Sequence, residues 1–238
     1  MDKWRGKIIL EVIIHIQIWQ IILQVIDCYF LLLKDRNNFQ CRSSTSKRPS
    51  HFFSTTFFTK LFDNSGSYNF SAVERWSRKL SLFLMEMIFF PIHYGGNHWT
   101  LMILLVQTKR IFYFDSLGGN GDYYTTRIKQ WLRDVARTQD KFTLDVRDWT
   151  VESPFANPRQ ENGDDCGVFV CMCADFLSEQ LPLFYTQKDM KHFRMKIATD
   201  LLRGSFQTWE QQHLSDVKTD TITRLSKDTT FFVLLWKT

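Results

Sequence analysis

The chain has 238 residues, 44% of them hydrophobic, with 22 Phe and 8 Trp, which is bulk enough for one large domain with its own core. Its formal charge of +5 is mild, and Lys and Arg are scattered rather than clustered, so neither composition nor charge points to nucleic acid. Five cysteines, Cys28, Cys41, Cys166, Cys171 and Cys173, are odd in number and form no CxxC pair, which argues against a disulfide framework and for a reducing compartment.

In chain order, residues 8–33 come first: IILEVIIHIQIWQIILQVIDCYFLLL is apolar and long enough to span a bilayer. Glu11, His15, Gln17, Gln20, Gln24 and Asp27 interrupt it about once per turn, and a charge at the bilayer centre costs about 2.5–3.5 kcal/mol. The expectation is therefore a buried amphipathic helix. No small-residue cleavage site follows the basic start, so a secretory leader is not expected. CRSSTSKRPS, residues 41–50, reads as a loop. SAVERWSRKL, residues 71–80, has Ser71 followed three positions later by Glu74, the pattern of a capping-box helix. Strands are expected at residues 87–93 (MIFFPIH), 98–106 (HWTLMILLV) and 110–116 (RIFYFDS), the last two forming a hairpin of buried strands across a polar turn. A GGNGD loop leads to a helix over residues 123–138 and an alternating, strand-like KFTLDVRDWTV over 141–151. Residues 153–165 form a loop rich in Pro and Asn. CGVFVCMCADFLSE, residues 166–179, is apolar almost all round and reads as a buried helix, and residues 187–204 as an amphipathic helix stopped by Gly204. The fold class is α+β: a central sheet with helices packed against it and one helix in the middle.

Within QENGDDCGVFV, residues 160–170, two aspartates directly precede Cys166. They should discourage a thiolate. A buried helix beginning at Cys166 works the other way, because unpaired N–H groups at a helix start favour an anion and lower a thiol pKa. Gly167 leaves room for a substrate backbone. The base a thiol needs is His98, at the start of one hairpin strand. Asp115, at the end of the next, lies at the same end of the sheet and can orient the imidazole. Gln160 is the candidate side-chain donor to an oxyanion, beside the N–H of the nucleophile itself. Each residue also has an ordinary reading: a packed cysteine, a core histidine, a turn aspartate capping DSLGG, a solvated glutamine. It is the joint placement that favours chemistry. A shared zinc is not expected, since Cys166 and Cys173 lie about 10.5 Å apart along a helix and Cys171 points about 140° away from Cys166. No phosphate loop or dinucleotide motif is present, and no cofactor is expected.

HWTLMILLV, IFYFDSLGG and QENGDDCGVFV, carrying His, Asp, Gln and Cys in that order, resemble the ubiquitin-like-protein proteases of the SUMO, or sentrin-specific, type. HFFSTTFFTKL (residues 51–61), AVERWSRKL (72–80) and YTQKDMKHFRMKIATDLL (185–202) fit the same family, and the resemblance covers residues 25–206. It implies a papain-like cysteine protease fold with a central mixed sheet. It also implies cleavage after the Gly-Gly C-terminus of SUMO, in deconjugation and in precursor maturation, by a monomer acting on SUMO and its conjugates in the nucleus. His98 would be the base, Asp115 its orienter, Cys166 the nucleophile, Gln160 the oxyanion donor, and Trp99 one wall of a tunnel that admits only Gly-Gly. The alternatives are a protease for another ubiquitin-like modifier, or a modifier-binding module of impaired activity. The second follows from a departure: where the family has a Trp-Leu-Asn-Asp stretch supplying the other tunnel wall, this chain reads QIIL at 20–23, with Trp19 one position off. Residues 1–24 and 207–238 do not look like family sequence and are taken as divergent flanks of a catalytic domain at 25–206.

Overall fold

The computed structural model describes residues 2–62, 66–78, 80–140, 143–152, 154 and 157–206, with side chains from residue 22 onward except at 139 and 140. The apolar N-terminal run belongs to one long helix, α1 (Asp2–Ser43). In its described part Ile26, Tyr29, Phe30 and Leu33 recur at helical spacing and are all buried, which is the amphipathic face expected. Asp27, one of the interrupting charges, accepts from the Thr55 backbone N–H at 2.7 Å and the Thr55 hydroxyl at 2.9 Å. Among the described residues no helix is long and apolar enough to cross a membrane.

Five strands form one mixed sheet in sequence order: β1 (His51–Phe52), β2 (Met87–Tyr94), β3 (His98–Leu105), β4 (Arg110–Phe114) and β5 (Thr150–Glu152). The outer pairs are parallel and the two inner pairs antiparallel. The inner strands read as unbroken apolar runs because both faces of the sheet are covered. On one face Phe89, Trp99, Leu101, Ile103, Phe112 and Phe114 join a core shared with α1, α5 (Cys166–Ser178) and α6 (Met190–Arg203). On the other, Ile88, Phe90, Met102, Leu104, Ile111 and Tyr113 join a core with α2 (Thr56–Leu61), α3 (Ser71–Ser77) and α4 (Asp122–Val135). Pro91 sits inside β2 without breaking it. The Phe89 carbonyl, two residues earlier on the same edge, accepts from Phe53 N–H. At Pro91 the two-residue β1 has already ended, so no ladder bond is lost there.

Three expectations for elements are corrected. α3 has no capping box. Ser71 is its first residue rather than its cap, the Asn69 side chain accepts from the Ser71 hydroxyl and the Ala72 N–H, and Glu74 pairs instead with Arg78 at 3.2 Å. Of the alternating stretch at 141–151, the residues described, from 143 on, form a strand only from Thr150. Asp145 captures the Arg147 N–H at 2.9 Å and turns the chain through a 3₁₀ turn, Val146–Asp148, a local side-chain bond that competes with a sheet ladder. The α4 helix ends earlier than expected, at Val135, and widens into a π turn, Ala136–Asp140. α6 ends as expected at Gly204, which takes the left-handed conformation at φ 67°.

α5 passes between the sheet and the α1/α6 pair and carries one carboxylate into that core. Asp175, 0% exposed, meets Arg36 of α1 at 2.7 Å and Lys196 of α6 at 3.3 Å, and accepts from the Tyr29 hydroxyl at 2.8 Å. Lys196 is paired again with Asp200 at 2.6 Å. The three helices are thus joined through one buried ionic cluster.

Candidate active site

The antiparallel β3/β4 register pairs Leu101 with Phe114, so the residues just before Leu101 and just after Phe114 share one end of the hairpin. There His98 Nε2 and Asp115 Oδ1 lie 2.6 Å apart, and both residues are buried. With Nε2 engaged, Nδ1 is the ring nitrogen left for another partner, and the Cys166 thiol is near enough to hydrogen-bond the imidazole. Burial pushes the His98 pKa down, but the hydrogen bonds and charges of Asp115 and Cys166 outweigh it and hold the imidazole at about 9. Burial likewise raises the Asp115 carboxyl, while the His98 bond and the Leu117 N–H outweigh it and bring it below its ordinary value.

Asp115 bonds the imidazole and caps the following turn at once. Its Oδ1 also accepts from Leu117 N–H at 2.8 Å and its Oδ2 from Gly119 N–H at 3.0 Å. Its backbone carbonyl accepts from Gly118 N–H at 2.9 Å, Asn157 Nδ2 at 3.0 Å and Arg159 Nη1 at 3.2 Å. The two glycines of DSLGG are needed for this. A Cβ at Gly119 would run into the Asp115 carboxylate, and one at Gly118, which sits at φ 86°, would run into the Arg159 guanidinium.

Cys166 is the first residue of α5 and is buried. Asp165 and Asp164 do not crowd it as the bare sequence suggests. Asp165 is 4% exposed, and its carboxylate accepts from Asn162 Nδ2 at 2.7 Å, Gln187 Nε2 at 2.6 Å and Arg194 Nε at 2.8 Å, with a further bond from Arg194 Nη2. Burial raises this carboxyl, and the three side-chain partners more than reverse that. Asp164 is exposed, and its carbonyl accepts from Arg194 Nη2 at 2.9 Å. The other thiols contrast with Cys166: burial pushes Cys171 and Cys173 well up, Cys171 being raised further by Asp175, so both stay protonated and inert.

Gln160 is buried beside this group. Its backbone N–H reaches the Ser116 carbonyl at 3.1 Å, its Oε1 accepts from the Ser116 hydroxyl at 2.5 Å, and its Nε2 donates to the Asn162 carbonyl at 2.5 Å. One amide hydrogen of Nε2 remains after that bond. Trp99 follows His98 on β3, is 2% exposed, and packs its ring 4.6 Å from that of His93. Gly167 is corrected. The space beside it is filled by α1, with Ile22 Cγ2 only 3.1 Å from where a Cβ would stand, so the close approach it permits is to a helix of the same chain and not to a substrate backbone. Trp19 and Gln20 lie outside the residues whose side chains are described, and so does the tail from residue 207.

The structure thus joins His98 to Asp115, sets the Cys166 thiol against the same imidazole, and ties Gln160 to Ser116, the residue after Asp115, and to Asn162 of the loop that leads to Cys166. Asn157 and Arg159, which fix Asp115, and Gln187 and Arg194, which fix Asp165, were not visible in the sequence. Asn157 and Arg159 lie within three residues of Gln160 and could have been suspected. Gln187 and Arg194 are 22 and 29 residues from Asp165, and nothing in their local pattern marks them.

A mixed sheet closed by helices on both faces, with Cys, His and Asp joined where a buried helix starts, defines the papain-like α+β class. Within it, the profile described as the Ulp1 protease family, C-terminal catalytic domain, matches residues 21–205, and the chain belongs to that family. It is 37% identical to the Ubiquitin-like-specific protease ESD4 of Arabidopsis thaliana, over 76% of this chain and 37% of that protein. It is also 37% identical to Sentrin-specific protease 2 of Homo sapiens, over 75% of this chain and 29% of that protein. The chain therefore spans about a third of the length of these relatives. Among solved structures it is similar to the C-terminal Ulp1 protease domain in complex with Smt3, the yeast ortholog of SUMO, at 26% identity and a TM-score of 0.59 over 76% of each chain. The Ulp1-like SUMO protease catalytic domain of Chaetomium thermophilum shares the fold, with a TM-score of 0.66 at 24% identity over 79% of this chain and 76% of that one.

Proposed function

We propose that this chain is a thiol-dependent isopeptidase and endopeptidase that cuts after the Gly-Gly C-terminus of a SUMO-type modifier, releasing it from conjugated proteins and maturing its precursor. The observation that carries this is the buried relay from Asp115 to His98 to Cys166. Family membership and the likeness to a protease domain bound to the yeast SUMO ortholog support the choice of modifier.

In this reading the proton of the Cys166 thiol rests on His98, and the thiolate attacks the carbonyl carbon of the second glycine. The tetrahedral oxyanion accepts from the free hydrogen of Gln160 Nε2 and from the Cys166 backbone N–H. His98 then passes its proton to the departing lysine or peptide nitrogen, the C–N bond breaks, and a thioester remains. Water, giving a proton to His98, attacks the thioester carbonyl; the C–S bond breaks and the modifier leaves with a free carboxylate. Asp115 holds the imidazole in the tautomer and orientation that both steps require. Trp99 is assigned to one wall of the Gly-Gly passage, where an aromatic edge excludes any residue with a Cβ. The catalytic domain is assigned to residues 25–206 and the site of action to the nucleus, the latter checked by imaging the tagged chain.

The test is covalent capture. SUMO carrying a C-terminal electrophile is incubated with the protein and with Cys166→Ala, beside matched probes of other modifiers. Labelling by the SUMO probe, absent in the variant, is expected. Labelling by another modifier alone moves the substrate, and binding without any labelling overturns the enzyme in favour of a modifier-binding module.

A further inference from the structure

We propose that Arg194 is a positioning residue for the nucleophile: it neutralises the buried carboxylate of Asp165, the residue directly before Cys166, and so keeps that anion from opposing the thiolate. The proposal rests on the reading of Cys166 as the nucleophile and adds to it a group 28 positions down the chain.

The geometry carries it. Asp165 ends the loop that holds Gln160 and immediately precedes the first turn of α5. Its carboxylate is almost fully enclosed, yet it does not cap the helix that follows; no side-chain bond is made to the first-turn N–H groups. Instead the group is turned outward onto α6 and its approach. Arg194 delivers two guanidinium hydrogens to Oδ1 and a third bond to the Asp164 carbonyl. Gln187 bridges Oδ2 to the Glu161 N–H, and Asn162 ties Oδ2 back to the loop that carries Gln160. A buried anion one residue from a thiol penalises the thiolate strongly unless a cation stands against it, because the screening of bulk water is lost. The depressed pKa of Asp165 agrees with a carboxylate kept ionised by these partners.

Among the described residues, the charges around Cys166 come from three directions. β3 presents His98 and, behind it at the end of β4, Asp115. The preceding loop presents Asp164 and Asp165. α6 presents Arg194. Among its described side chains, α1 meets the start of α5, at Gly167, with uncharged Ile22 and Ile26. Of these, Asp165 and Arg194 form an internally compensated pair, and removing either member exposes the other to the thiolate with opposite sign.

That sign reversal is the test. The rate of Cys166 alkylation by iodoacetamide, followed on its own peptide by mass spectrometry so that exposed Cys28 does not interfere, is measured from pH 4 to 10. Arg194→Gln is expected to move the alkylation midpoint up, so that the reaction at pH 6 is about three- to tenfold slower. Asp165→Asn is expected to move it down, and the double variant to return close to the original. Arg194→Lys keeps the charge and restores most of the midpoint, and because Arg194 is half-exposed its replacement leaves a folded protein. Midpoints that shift in the same direction in the two single variants, or not at all, overturn the proposal and leave a structural brace. Iodoacetamide needs no modifier. Opposite shifts combined with a silent SUMO probe would support this inference while removing the proposed substrate.

Discussion

Asp115 and Asp175 are both buried carboxylates set against cationic side chains, and the difference between them lies on the far side of the cation. Asp175 faces Arg36 and Lys196, and beyond Lys196 stands another carboxylate, Asp200. Every charge in that group ends on another charge of the same cluster. Asp115 faces His98, and beyond the imidazole stands a thiol at the first residue of a helix. Burial and charge alone do not separate a site from a fastening. What separates them is an imidazole with a thiol on its open side. The two clusters share α5, which carries Cys166 at its first residue and Asp175 near its last turn, so one helix serves both.

The comparison breaks first at Asp115. Asp115→Asn keeps the shape and removes the charge that fixes the imidazole, and hydrolysis of a Gly-Gly-linked reporter is expected to fall by about 10³–10⁴-fold with modifier affinity nearly unchanged. Kinetics beside a binding titration read both. A large loss of affinity with turnover preserved would mean that Asp115 shapes the binding surface and orients nothing.

Asp175→Ala is the converse. It leaves Arg36 and Lys196 without their shared carboxylate in a dry core, and breaking such a cluster costs about 3–5 kcal/mol. Chemical denaturation should show that loss, while the fraction still folded alkylates Cys166 at the original rate. A changed alkylation rate at unchanged stability would erase the distinction drawn between the two carboxylates.

The hairpin half of the site was legible in the sequence because its logic is local. Two apolar runs with a short polar turn fix an antiparallel register, and that register alone brings His98 to Asp115. Cys166 was legible because the apolar helix announces its own beginning. What the sequence hid is carried by single side chains from distant elements. The acids of QENGDDCG look like a liability until Arg194 and Gln187 are seen bonded to the Asp165 carboxylate. Gly167 looked like room for a substrate until Ile22 was found in that room, since contiguity along the chain says nothing of which helix will cross above. The capping box at Ser71 failed for a related reason: Asn69, two residues earlier, holds a side-chain acceptor that starts the helix sooner than the pattern suggests.

The smallest expected effect is on stability against pH, and its sign distinguishes the two clusters once more. The folded pKa of His98, about 9, lies above the ordinary 6.5, so the bond to Asp115 stabilises fully below about pH 6.5 and its contribution is lost as pH rises through about 9. Asp115 is depressed from 3.8, so its share is present above about pH 4 and is lost as pH falls through its lower folded value. The pair is therefore strongest between those limits. The stability difference between the native chain and His98→Ala, measured by denaturation, should shrink by about 2 kcal/mol from pH 6 to pH 10. Asp175→Ala, which leaves the His98–Asp115 pair intact, should show no such change over that range. A His98→Ala difference that stays constant with pH would mean that the imidazole does not carry its proton in the folded protein, and the relay from Asp115 to Cys166 would lose its charged middle member.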